Sequence, residues 1–75
     1  MPIIRVTRGS SHRDFSVECL EEYSFIEMEM QMMRYVRRVF YPLVTYLEYE
    51  GAWVWSIWLD ERRVGQVKWV MAWDI

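Results

Sequence analysis

Apolar and polar positions change period twice along this chain, and each change marks a change of element. Near the start, "PIIRVTR" alternates Ile4 and Val6 against Ile3, Arg5 and Thr7 in a β-branched run. That pattern predicts a strand over residues 2–8. "GSSHR" then supplies turn residues, and "DFSVECL" sets Phe15, Val17 and Cys19 against Ser16 and Glu18. A second strand, at about residues 14–20, is expected to pair with the first.

"EMEMQMM" at residues 27–33 looks like a third alternating stretch, but its surroundings argue for a helix. Ser24 and Glu27 have the spacing of a capping box, and Tyr23 and Met28 occupy the positions of a hydrophobic staple. Projected at about 100° per residue, Glu27, Gln31, Arg34 and Arg38 form one polar stripe. Phe25, Met28, Met32, Met33, Tyr35, Val36, Val39 and Phe40 spread over the opposite side. Glutamates early and arginines late suit the helix dipole. The helix is predicted over about residues 24–41 and ends at Pro42, since a proline drives its predecessor out of helical geometry.

From Leu43 the pattern is β. "LVTYLEYE", "AWVWSIWL" and "VGQVKWVMAW" predict strands at about 43–50, 52–59 and 64–74, separated by Gly51 and "DERR". Register follows from the requirement that one apolar face lie under one helix, because a slip by one residue inverts every side chain. Odd-length turns collect Leu43, Leu47, Tyr49, Trp53, Trp55, Ile57, Leu59, Val67, Trp69, Met71 and Trp73 on that face. A bulge near Gly65 is a natural place to absorb the odd residue. The expected fold is α+β: a ββαβββ antiparallel sheet with one helix on one face, forming a single domain over residues 1–75.

The same register places Val44, Tyr46, Glu48, Val54, Ser56, Trp58, Val64, Gln66, Lys68 and Val70 on the second face. A sheet face left to water is normally more polar than this. Trp and Tyr with a polar rim are typical of interface hot spots. Tyr46, Glu48, Val54, Trp58 and Lys68 are therefore the candidate partner-binding residues, with Arg34 and Arg38 of the helix stripe as an alternative surface.

Composition narrows the field. With 53% hydrophobic and 17% aromatic residues the chain is not a disordered segment. Nine basic against eleven acidic residues give a net charge of −2, a poor match to a polyanion binder, so nucleic acid is not an expected partner. The one cysteine, Cys19, has no internal partner for a disulfide and reads as a small buried residue in a reducing compartment. No run approaches the ~18 apolar residues of a membrane span, and the N-terminus has no apolar leader. A complete cytoplasmic protein is expected.

No residue set points to catalysis, a cofactor or a metal. Met28, Met30, Met32 and Met33 carry the thioethers that copper(I) favours, but a helix turns Met30 away from Met28 and Met32. Ser10, Ser11, His12 and Asp14 are adjacent in sequence, whereas triad members usually come from separate elements. Glu29 falls on the apolar side of the helix with no cation three or four residues away, which leaves its role open between a perturbed functional carboxylate and one that reaches water.

One resemblance bears on function. "VWSIWLDERRVGQVKWV", preceded by one helix and a short N-terminal hairpin, resembles the layout of small phage-encoded accessory proteins that counter host defence. Anti-CRISPR proteins and phage antitoxins are among them. The resemblance implies a non-catalytic inhibitor in the host cytoplasm that blocks a larger protein or ribonucleoprotein complex by binding it. The alternatives are a self-assembling subunit, dimeric through the open sheet face, and a single-stranded nucleic-acid-binding module.

Overall fold

A computed structural model describes residues 2–17 and 23–71. It has the expected α+β architecture. The strands are β1 (Ile3–Arg8), β2 (Ser11–Ser16), β3 (Tyr46–Gly51), β4 (Val54–Leu59) and β5 (Arg62–Val70), and the helix is α1 (Phe25–Phe40). All neighbours in the sheet are antiparallel, in the order β2-β1-β5-β4-β3. The N-terminal hairpin therefore docks onto the last strand, and β2 and β3 are the two edges.

Local chemistry sets the helix. Ser24 Oγ accepts from the Glu27 N–H at 3.2 Å, and the Glu27 carboxylate accepts from the Ser24 N–H at 3.3 Å. This is the reciprocal cap expected from the sequence. At the other end Tyr41 takes φ −50° and ψ 135°, the extended geometry that the following proline demands. Met28, Met32, Val36 and Phe40 form the buried stripe, packed on Ile4, Val6, Trp55, Ile57, Val67 and Trp69. The methionines at 28 and 32 are filler between the helix and the tryptophans of the sheet.

Apart from Trp53, which lies half-exposed in a turn and not in β4, and Val64, which packs against the core and not on the second face, the hairpins reach the expected facing pattern by a different route. Both C-terminal turns have two residues, Ala52–Trp53 and Asp60–Glu61, not an odd number. In each, a bulge supplies the odd residue: Glu50 lies between the Tyr49↔Trp55 and Gly51↔Val54 pairs, and Val64 between Ile57↔Gly65 and Trp58↔Arg63. The second is the bulge expected beside Gly65. Gly65 is also closely approached by Phe40 and β1, since a Cβ there would press on the Thr7 carbonyl oxygen and stand 3.1 Å from Phe40 Cζ.

Several boundaries differ from the sequence reading. The first hairpin closes tightly at Gly9–Ser10, with Gly9 at φ 63°, so β2 begins at Ser11 and not at Asp14. "SHR" is strand because each of its residues has a partner in β1. Phe15 and Val17 keep the expected inward side, with Val17 buried beyond the strand end; Cys19 lies outside the described residues. Leu43 was expected in strand on the inner face, but β3 begins only at Tyr46, leaving Leu43 and Val44 exposed. The reason is the length of β4: Tyr46 pairs with Trp58, and beyond Leu59 the chain turns. β5 likewise stops at Val70, where its partner β1 starts at Ile3. Trp73 lies outside the described residues.

Candidate protein-binding surface

The residues singled out from the sequence do not form one surface. Tyr46, Glu48, Val54, Trp58 and Lys68 lie on the sheet face away from α1, as the register required, whereas Arg34 and Arg38 are exposed on the outer side of the helix. Arg38 also turns toward β2, its guanidinium 5.3 Å from the centre of the Tyr35 ring, which itself stacks on Phe15 at 4.6 Å.

On the far sheet face the apolar residues are interrupted. Tyr46, Trp58 and Arg63 form one row across the strands, and Val54 and Lys68 belong to another. Between them runs Glu48, Ser56, Gln66, Thr7 and His12. This polar row is tied together: Ser56 Oγ donates to Glu50 at 2.7 Å and accepts from Arg63 Nε at 3.0 Å, and Arg63 Nη2 donates to Gln66 at 3.2 Å. Trp58 is half-buried, and its indole nitrogen is out of contact with water and has no hydrogen-bond partner among the described residues. Tyr46 spans the edge of the face, donating its hydroxyl to the Asp60 carbonyl at 2.7 Å. Arg5 and Asp14 close the other end with a two-pronged ion pair at 2.8 and 3.0 Å, which holds the Asp14 carboxyl below the usual carboxylate range.

Several of the large exposed apolar side chains gather elsewhere, along the flank of α1 that faces β3, although Tyr41, Leu43 and Val44 lie outside the group. Ile26 and Met30 are 70% and 67% exposed, although they continue a helical stripe with Met33. Together with Glu29, Tyr46 and Leu47 these residues line a shallow groove of about 350 Å³ between the helix and the sheet edge. Arg34 and Arg37 border its continuation beside Met30 and Met33. At the other end Phe25, Tyr49, Trp53 and Trp55 form an aromatic cluster with ring centres 4.8–6.5 Å apart. The signal for this surface was present in the sequence: Ile26, Met30 and Met33 recur at spacings of four and three, off to one side of the main apolar stripe. It was masked because Met33 also reads as part of the main apolar side.

The tip of the β3–β4 hairpin is strained. Ala52 and Trp53 sit at φ 53° and 60°, the left-handed region that side chains with a Cβ rarely adopt. Asn-Gly is the usual choice for a turn of this type. Here the two positions hold an alanine and a half-exposed tryptophan, with the Trp53 carbonyl accepting from the Trp69 N–H at 3.0 Å. The turn displays an aromatic ring where backbone stability alone would select glycine.

Other candidates resolve into structural roles. Glu29 Oε2 accepts a 2.8 Å hydrogen bond from the indole N–H of fully buried Trp55, which explains a carboxylate on the apolar side of the helix. Ser11 and His12 are consecutive on a strand and point to opposite faces; Ser11 donates to the Arg8 carbonyl and Asp14 is engaged by Arg5. Among the described residues no three His, Cys, Asp or Glu side chains stand together as metal ligands. No described helix is long and apolar enough to cross a membrane. Comparison with protein-family models, curated proteins and solved structures finds no match to this chain.

Proposed function

We propose that this chain is a non-catalytic protein-binding module that docks on a larger protein through the apolar surface between α1 and β3 and blocks it by occupying its surface. The observation that carries this reading is the grouping of Ile26, Met30, Tyr46 and Trp53, all about half or more exposed, along one edge. Large apolar side chains scattered singly need no explanation, whereas a contiguous aromatic and aliphatic patch with a charged rim is the usual composition of a binding site. The strained Trp53 turn supports the same reading, since strain at an exposed side chain is commonly retained for contact. Tyr46 belongs to both this surface and the far sheet face. Glu48, Val54, Trp58 and Lys68 would extend the contact around the β3 edge, and Arg34 would rim it from the helix. Arg38 lies toward β2 and falls outside it. An anti-defence role in a phage-infected cell rests on the resemblance of layout alone.

The test compares the immobilised wild-type protein with Ile26→Asp/Met30→Asp in capture from the source cell or its host. Both positions are mostly exposed, so circular dichroism of the variant is expected to match wild type. A partner retained by wild type and lost by the variant supports the reading. Equal retention overturns the surface assignment. A wild-type protein that captures nothing and sediments as a dimer points to the self-assembling subunit instead.

A further inference from the structure

Resting on that reading, we propose that the outer edge of β3 takes an extended segment of the partner protein in which apolar side chains alternate with lysine or arginine. An edge strand presents unpaired backbone donors and acceptors, and a peptide that adds to it gains main-chain hydrogen bonds while its alternate side chains set specificity. The two edges of this sheet are unequal. β2 is serine, histidine, arginine, aspartate, phenylalanine and serine, with Asp14 fixed by Arg5, a charged edge of the kind that discourages pairing. β3 carries Tyr46, Leu47 and Tyr49, and no described segment pairs with its outer side.

The chemistry on either side of that edge differs, and it specifies the visitor. A strand laid beside β3 sends alternate side chains to the two faces of the sheet. On the helix side they enter the groove walled by Ile26, Met30, Met33 and Leu47, where apolar residues fit; Glu29 also lines it, with Oε2 already engaged by the Trp55 indole N–H, and Arg34 and Arg37 border the adjoining hollow. On the opposite side they meet Glu48, which makes no hydrogen bond or ion pair with any described residue, and Glu50, whose carboxylate accepts from Ser56 alone among the described residues. Cations are favoured there, because opposite charges across an antiparallel pair stabilise it.

The same two glutamates argue against a second copy of this chain as the occupant. Symmetric antiparallel pairing of β3 with itself about Glu48 sets Glu48 against Glu48, and pairing about Tyr49 sets Glu48 against Glu50. Pairing about Leu47 leaves the two Glu48 carboxylates as diagonal neighbours. Like charges so placed destabilise a strand pair, which makes the carboxylates a device that protects an otherwise apolar edge from self-association while leaving it open to a basic strand.

The probe is a capped, fluorescein-labelled eight-residue peptide of alternating valine and lysine, titrated against the full chain by fluorescence anisotropy at two salt concentrations. Saturable binding is expected, with slowed amide exchange at Tyr46–Tyr49. It should weaken at least tenfold when alternate peptide nitrogens on one edge are methylated, which removes hydrogen bonds and keeps the charge. Glu48→Lys should weaken it tenfold or more and confer binding of the valine–glutamate peptide; Glu48→Gln should fall between. Equal binding of the methylated peptide, or indifference to Glu48→Lys, overturns the proposal, as does a β3-paired dimer in solution. A partner whose capture is lost in Ile26→Asp/Met30→Asp but unchanged in Glu48→Lys would leave the apolar surface standing and overturn the basic strand alone.

Discussion

Replacing Glu29 tests the most specific polar contact in the core. Trp55 is fully buried, and the only polar atom of its side chain, the indole nitrogen, donates to Glu29 Oε2 at 2.8 Å. Leucine at position 29 keeps roughly the same bulk and helix propensity but removes the acceptor. Orphaning a buried donor costs about 1–3 kcal/mol. Glutamine keeps an acceptor oxygen and loses only the assistance of charge, so Glu29→Gln should cost less than ~1 kcal/mol. For a domain of this size each kcal/mol corresponds to roughly 4–8 °C in Tm. Urea and thermal unfolding followed by far-ultraviolet circular dichroism should therefore separate the two variants clearly. In a Trp55→Phe background, which has no donor, Glu29→Leu should cost almost nothing, and the coupling in that double-mutant cycle measures the hydrogen bond. The shift of the Trp55 indole proton in NMR gives a second readout if Trp55→Phe is too unstable to melt cooperatively. Wild-type stability in Glu29→Leu, or an equal cost with and without the indole, would mean that this hydrogen bond does not stabilise the fold and would reopen a functional role for the carboxylate.

Three further outcomes follow from the geometry. Gly65→Ala should lower stability by about 1–3 kcal/mol in the same unfolding assay, because its Cβ would meet the Thr7 carbonyl and Phe40 in a packed core. Ala52→Gly should raise stability by about 1 kcal/mol by relieving one left-handed residue and leave partner capture intact, whereas Trp53→Gly, which also removes the ring from its contacts with Tyr49 and Trp55, should weaken capture. The Asp14 carboxyl is held low in the folded state, first by its hydrogen bond from Arg5, so its contribution is present above the ordinary carboxylate range and is lost as pH falls below it. Acid titration of stability should show a shallower limb in Asp14→Asn, and added salt should shrink the difference because the pair is largely exposed.

How far the chain could be read without coordinates depended on the range of the interaction concerned. The helix start at Ser24 was legible because a capping box involves residues three apart, and its end was legible because proline acts on its neighbour. The facing pattern of the sheet was legible because alternation is local and the demand for one covered face admits one coherent register. That same demand located the bulge beside Gly65, even though the turn itself is shorter than the charged run suggested. Strand lengths were not legible in this way. β3 begins at Tyr46 and β5 ends at Val70 because their partners begin or run out there, and those partners are settled by pairing between distant segments.

The candidate site divides along the same line. Residue periodicity alone assigned Tyr46, Glu48, Val54, Trp58 and Lys68 to a common face, and they are on one. Which of them are neighbours across that face depends on the strand order, which set a Glu50–Ser56–Arg63–Gln66 hydrogen-bond network, centred on buried Ser56, between Trp58 and Val54. The role of Glu29 likewise needed the helix laid over β4, 26 residues away in sequence. The groove beside β3 exists because the helix leaves Ile26 and Met30 unburied next to an edge strand, and no local pattern states which strand is the edge. Cap, period and propensity act over a few residues and belong to the amino-acid order. Edges, grooves and buried partners arise where segments far apart in the chain meet, and they belong to the folded molecule.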